Sequence, residues 1–206
     1  MGGPAVLSSW GAESYKQDGK VVLDALPVRL AYAEFVNSAE PLPVIPDPPV
    51  HSFSEIYERA EQRQSPPQEW LTLLSSHPNA LNTWNAMYEL FVENGVVENR
   101  IKQLQRVLIA DRFDCPDWVP EKSLSIEKAD ISEYQRNAIK LSDFSLFSER
   151  ECAALCYTEN IILSGKVVDE QFQRLKAAFS WSEIIELGYA VATQAGAVLT
   201  AKAILY

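Results

Sequence analysis

HPNALNTWNAMYELFVENGVVENRIKQLQRVLIADRFDC, residues 77–115, decides the fold. Its first half sets Leu81, Trp84, Tyr88 and Phe91 at intervals of three and four, one face of an α-helix, and Gly95 ends the run. That aromatic stripe reads first as core packing, because large apolar surfaces are the main source of core stability. The second half, Val96 to Phe113, repeats the spacing with Val97, Ile101, Leu104 and Leu108 and predicts a second helix. Beyond it Pro116 and Pro120 break the period, since each disfavours a helical conformation in the residue before it.

Outward from this stretch the pattern stays helical. Ser52 with Glu55 has capping-box spacing and predicts a short helix through Gln62; Pro66-Pro67 opens another through Leu74. A helix is expected from Ser132 to Leu141, and Ser148 with Glu151 opens one running to Ser164 before Gly165. Val168 to Phe179 is amphipathic, and Ser180 with Glu183 starts the last helix. Between Leu187 and Leu199 that helix reads LGYAVATQAGAVL, apolar or small nearly all round, which predicts burial on every side, in part against another subunit. No β-branched alternation stands out, so the expected class is all-α.

The N-terminal 50 residues read as a separate arm. Residues 1–20 carry scattered glycines and are expected to be loosely ordered, whereas Val21 to Asn37 has helical spacing interrupted at Pro27. PLPVIPDPPV, with five prolines at positions 41–50, predicts a stiff extended connector. The expected division is therefore 1–50 as arm, with one helix and the connector, and 51–206 as helical domain.

Composition narrows the partners. The 206 residues carry 18 basic and 28 acidic side chains, a net charge of −10, which disfavours nucleic acid or anionic lipid as the main partner. Apolar residues make up 47% of the chain, enough to bury a core. No run reads as a membrane span of about 20 apolar residues, and the N-terminus lacks a signal-peptide pattern. Cys115, Cys152 and Cys156 are too few for a disulfide framework, so reduced thiols in a soluble cytoplasmic protein are expected. His51 and His77 have no second His at metal-ligand spacing, and no GxGxxG, P-loop or GxSxG motif occurs; neither metal nor cofactor is expected.

The order of elements in residues 77–115, followed by SERECAALCYTENIILSGKVVDEQFQRLKAAFSWSEIIELGYAVATQAGAVLTAKAIL, resembles the carboxymuconolactone decarboxylase and alkylhydroperoxidase D-like superfamily. The features that carry it are the His-Pro helix entrance, the Asn94-Gly95 loop, the helix ending at a cysteine, the Ser-Glu-Arg helix start and FSWSEIIEL. The resemblance covers roughly positions 77 to 205. It implies an all-helical bundle assembling as a homo-oligomer (dimer, trimer or hexamer), with sites near subunit contacts. The peroxidase branch of that family has Glu, eleven residues, Cys-x-x-Cys, three residues and His, a relay that deprotonates one thiol while the second closes a disulfide. The matching positions here are Gln103, Cys115, Asp117, Trp118 and Lys122, of which Cys115 alone keeps its chemistry. Dithiol peroxidase activity is not expected, and members with a proline-rich extension and no CxxC look like those of fungal natural-product pathways.

The replacing residues still suit a pocket. Gln103 shares a face with Val107 and Ala110, where its amide either holds a developing oxyanion or satisfies a loop carbonyl. Asp111 and Glu159 sit on apolar faces, so each either pairs with a cation (Lys122 or Arg106 for Asp111, an arginine for Glu159) or works as general acid or base. Asp114 and Asp117 flank Cys115 and read as loop formers, with Asp117 of added interest because, by the resemblance, it stands where the peroxidases place a His. Trp118 and Lys122 would give an aromatic wall and a cation, and Gln194 is a further substrate-binding candidate. The expected function is proton transfer next to a carbonyl, in isomerisation or decarboxylation of a small cyclic acid, lactone or aromatic polyketide, without a cofactor. The alternatives are a non-catalytic helical oligomer acting as a binding or assembly subunit, and a residual single-cysteine peroxidase.

Overall fold

Four serines and two glycines punctuate the helices. In a computed structural model describing residues 13–17, 20–24, 52–120 and 129–205, the helical domain runs α1 (Phe53–Arg63), α2 (Gln68–Ser75), α3 (Pro78–Met87), a π turn (Tyr88–Glu93), α4 (Asn99–Arg112), α5 (Glu133–Lys140), α6 (Glu149–Ser164), α7 (Asp169–Ala178) and α8 (Trp181–Leu205). Ser52, Ser132 and Ser148 form capping boxes with Glu55, Gln135 and Glu151. Ser180 does the same work for α8, its N–H donating to Glu183 Oε2 at 2.8 Å and its hydroxyl accepting from Glu183 N at 3.3 Å. Gly165 closes α6 in the left-handed conformation.

Two expectations are corrected. An antiparallel hairpin, β1 (Glu13–Gln17) with β2 (Lys20–Asp24), occupies part of the arm, pairing Tyr15 with Val22 and Lys16 with Val21. It replaces looseness at residues 13–17 and the first residues of the helix expected from Val21, residues 1–12 lying outside the described ones; Asp18-Gly19 is, in sequence, the pair that favours such a connection. The described residues are thus all-helical from residue 52 onward. The rest of the expected arm helix, the proline-rich connector, His51 and Lys122 lie outside the described residues.

The second correction concerns which helix is central. Ile101 to Ala110 are ten consecutive buried residues, so α4 is enclosed on all sides by α5, α6, α8 and the π turn. Its polar members must therefore find partners inside the protein. Gln105 Nε2 donates to Thr158 Oγ1 at 2.8 Å, Arg106 Nη1 donates to Ser65 Oγ, and Lys102 Nζ reaches Glu186 Oε1 at 3.0 Å. Within one chain, helix α8 leaves a stripe open at Tyr189, Ala192, Gly196 and Leu199, the face that would remain for the other subunit its sequence predicts. Trp181–Ile204 is also long and apolar enough to cross a membrane by length and composition, contrary to the expectation that no run would be; 61% of its hydrophobic window is buried within the protein, as in a core helix.

The joint between α3 and α4 is built around Glu186. Its carboxylate accepts Val96 N at 2.7 Å and Val97 N at 3.1 Å while holding the Lys102 ammonium. Lys102 Nζ also donates to Asn94 O. Gly95 turns there with φ +95°, and a Cβ at this position would stand 2.3 Å from Glu186 Oε1. Both the conformation and the space demand glycine. At the other end of the joint, Phe91 stacks on Tyr189 at 4.7 Å.

A second junction gathers three helix ends. Arg150 Nε donates to Glu98 Oε1 at 3.0 Å, and its other nitrogens reach Glu183 and Ala178 O while the guanidinium lies 4.0 Å over the Phe179 ring. Burial works to raise the Glu183 pKa, but the Ser180 N–H and the Arg150 guanidinium outweigh it and hold the carboxyl below its ordinary value of 4.5.

Two outcomes follow for stability. Gly95→Ala should cost on the order of 2–4 kcal/mol, from left-handed strain plus displacement of a buried carboxylate from its ammonium, read as a lower urea midpoint with unchanged slope. Because the folded Glu183 pKa is depressed, its contribution is present above the unfolded value and is lost as pH falls through the folded one. Urea midpoints from pH 7 to pH 3 should thus drop below about pH 4.5, and Glu183→Gln should be less stable at pH 7 with a shallower acid slope.

Candidate active site

Helix α4 ends where its chain reverses. Cys115 N donates to Ala110 O at 2.8 Å, and Asp114 takes φ 53°, a left-handed conformation that Asp tolerates better than most residues. Lys202 from the last turns of α8 donates to Phe113 O at 2.5 Å, placing a cation at the carbonyl end of the α4 dipole. This geometry brings Cys115 back over the helix end, half-buried, with its thiol 3.4 Å from Phe113 O.

Beside the thiol opens a cleft of about 350 Å³ between the end of α4, the Cys115–Val119 loop and α5. Val107, Ala110, Pro116 and Val119 give it an apolar floor. Asp111 and Asp114 line it from the α4 side; Arg136 and Lys140, one turn apart on α5, face it with Glu133 and Asn137. A concave site with apolar floor and opposed charges is the form small-molecule pockets take. On the inner side of Cys115 a hollow of about 10 Å³, room for one water, is lined by Trp70, Trp118, Asp117, Val198 and Ala201.

Arg112 fixes the wall between α4, α5 and α6. It donates to Asp111 Oδ2 at 2.6 Å, to Glu159 Oε1 at 2.6 Å and to Ile139 O at 3.0 Å, while Ser142 Oγ donates to the same Glu159 oxygen at 2.8 Å. Glu159 is therefore the arginine-paired carboxylate that its apolar face allowed, not a base in the cleft. Asp111 lines the cleft as expected, but its cation is the neighbouring Arg112 and not Lys122 or Arg106.

The remaining expected site residues scatter. Gln103 is buried along α4, donating to Asn99 Oδ1 at 3.1 Å, and does not line the cleft. Trp118 is buried edge-on to Trp70 at 6.1 Å and Asp117 is exposed; both border the inner hollow, so neither forms a wall of the cleft. Gln194 is buried in α8 with neither amide atom hydrogen-bonded among the described residues, away from the cleft lining. Sequence reasoning missed Glu133, Arg136, Asn137 and Lys140. The Ser132-x-x-Gln135 capping box followed by two cations at i and i+4 was the available signal.

Burial pushes the Cys115 thiol above its ordinary value of 9.0; Lys202 pulls it down, and Asp114 and Asp117 push it up. The thiol is protonated at neutral pH, which makes it a hydrogen-bond or proton donor and a poor nucleophile.

A scan against protein-family models finds no match to the chain, and a search of curated proteins finds none either.

The thiol chemistry is directly measurable. In a Cys152→Ser/Cys156→Ser background, the rate of iodoacetamide alkylation at Cys115 should rise with pH to a midpoint above 9.0, with Lys202→Ala moving that midpoint higher and Asp114→Asn moving it lower.

Proposed function

We propose that the chain binds a small carbonyl-bearing anion in the cleft beside Cys115 and moves a proton at the carbon next to the carbonyl, as a cofactor-independent isomerase or decarboxylase. The observation that carries this reading is the opposition of Arg136 and Lys140 on one wall to Asp111 and Asp114 on the other, over an apolar floor. The cations would hold the substrate carboxylate and the developing enolate. Asp111 is engaged by Arg112 and Glu133 stands on the α5 wall with the cations, so Asp114, next to Cys115, is assigned to accept the proton, and the protonated Cys115 thiol to donate one back to carbon. In decarboxylation the electron pair of the breaking C–C bond would pass into the carbonyl as CO₂ leaves, and the same donor would supply the replacing proton. Small cyclic acids, lactones and aromatic polyketides fit the size and polarity of the site.

The resemblance of residues 77–205 to the carboxymuconolactone decarboxylase and alkylhydroperoxidase D-like superfamily, without its CxxC, supports this reading over the peroxidase one. The raised Cys115 pKa also weighs against a peroxidase, which needs a thiolate. The open α8 stripe is apolar and small, and we assign it to a second copy of the chain in a homo-oligomer. Three unpaired thiols fit a reducing, cytoplasmic setting. A second reading is a binding subunit without turnover. It is favoured by Glu159 being committed to Arg112 and by Gln103 lying outside the cleft.

Solvent deuterium incorporation into a panel of cyclic β-keto acids, followed by NMR, separates the two. Proton-transfer activity should be lost by about 10²–10⁴-fold in Asp114→Asn with ligand binding retained, whereas Arg136→Ala with Lys140→Ala should lose binding. Saturable binding without exchange in the wild-type chain would favour the binding subunit.

A further inference from the structure

A separate pair of thiols lies on α6. Cys152 and Cys156 are one helical turn apart, half-buried against the main core, and share a hydrogen bond; neither lines the cleft. From α7, Arg174 places Nη2 4.0 Å from Cys152 Sγ. A disulfide does not suit this spacing: helical residues four apart have Cβ atoms about 5–6 Å apart, against about 3.8 Å in a disulfide, so closing one would unwind the helix. An ion between the sulfurs suits it well. Two metal–sulfur bonds of about 2.3 Å laid end to end span about 4.6 Å, within reach of the two side chains on an unperturbed helix.

We propose that Cys152 and Cys156 form a two-coordinate site for a soft monovalent cation, Cu(I), with Arg174 as its charge-balancing neighbour. The donor set selects the ion. Zinc wants four ligands, and among the described residues no group of three or more His, Cys, Asp or Glu side chains could hold a metal. Cu(I) accepts soft thiolate donors. Binding replaces two S–H bonds by two Cu–S bonds and releases two protons, with no change of oxidation state. The resulting bis-thiolate unit carries one net negative charge, and the Arg174 guanidinium stands beside it to offset that charge.

Burial and then Cys152 push the Cys156 thiol up to about 11, while Arg174 pulls it down and Glu159 pushes it up.

The test is anaerobic titration of the full chain with Cu(I) against bicinchoninate as a chromophoric competitor. One Cu(I) per chain is expected, weakened by about 100-fold or more in Cys152→Ser and in Cys156→Ser and unaffected by Cys115→Ser. Arg174→Gln, which keeps both thiols, should weaken it about tenfold, as expected for a group beside the ligands, and guards against misfolding of the thiol variants. X-ray absorption should show two sulfur neighbours and Zn(II) should not displace the ion. Copper retained after loss of either thiol, lost with Cys115→Ser, or held at wild-type affinity in Arg174→Gln overturns the proposal.

Discussion

The buried ion pair between Lys102 and Glu186, 3.0 Å apart and almost fully shielded from water, is the constraint around which the rest is arranged. A pair of this kind is not by itself a source of net stability, because desolvation offsets much of its attraction. It acts through what happens when it is broken, since either partner alone would be an uncompensated charge in the core. Glu186 fixes α8 to the Val96–Val97 backbone, and Lys102 fixes the start of α4 to both. One register of α8 against α4 satisfies all three groups, and slipping by a turn would orphan them. Farther along α4, Gln105 finds Thr158 on α6 and Arg106 finds Ser65 before α2, so successive polar side chains tie one helix to three different neighbours. The end of α4, and with it Asp111 and Cys115, is positioned by these ties.

How far the sequence discloses this architecture depends on the range of the interaction. Local signals are legible. Ser52, Ser148 and Ser180 lie three residues before a glutamate, and Gly95 and Gly165 stand at helix ends, so the helix boundaries in the structure lie close to those expected. Burial was harder to read for Lys102 and Gln105, whose polar ends give no local sign of an inner partner until those partners, as much as 84 residues away, are known. For α8 the apolar sequence predicts burial in part against another subunit, and within one chain Tyr189 and Leu199 are each about half exposed (49%). The hairpin went unread because helical spacing from Val21 masked the Asp18-Gly19 signal.

The candidate site follows the same rule. Asp111 and Cys115 are four residues apart at one helix end, so their proximity is a local property. Arg136 and Lys140 enter the cleft only because Arg112 anchors the end of α5 through the Ile139 carbonyl and Ser142. Glu159, a carboxylate on an apolar face, carried the right warning: it had to be paired or reactive. The structure pairs it with Arg112 across 47 positions in sequence, which no local pattern reveals.

Arg112 therefore does for the cleft what Glu186 does for the bundle. Its fork is occupied by Asp111, Glu159, a backbone carbonyl and a hydroxyl, leaving little freedom for the guanidinium to follow a ligand. A committed arginine is a rigid tie, and it holds α5 against the end of α4, the two elements whose side chains line the cleft. Removing the Glu159 charge would reach the cleft through the placement of α5, since Glu159 holds Arg112 and Ser142 together. Glu159 further stands one turn beyond Cys156, so the ion pair that ties α4 to α6 lies next to the thiol pair. Because Glu159 also raises the Cys156 pKa, charge at the thiols and the Arg112–Glu159 pair are electrostatically linked along α6.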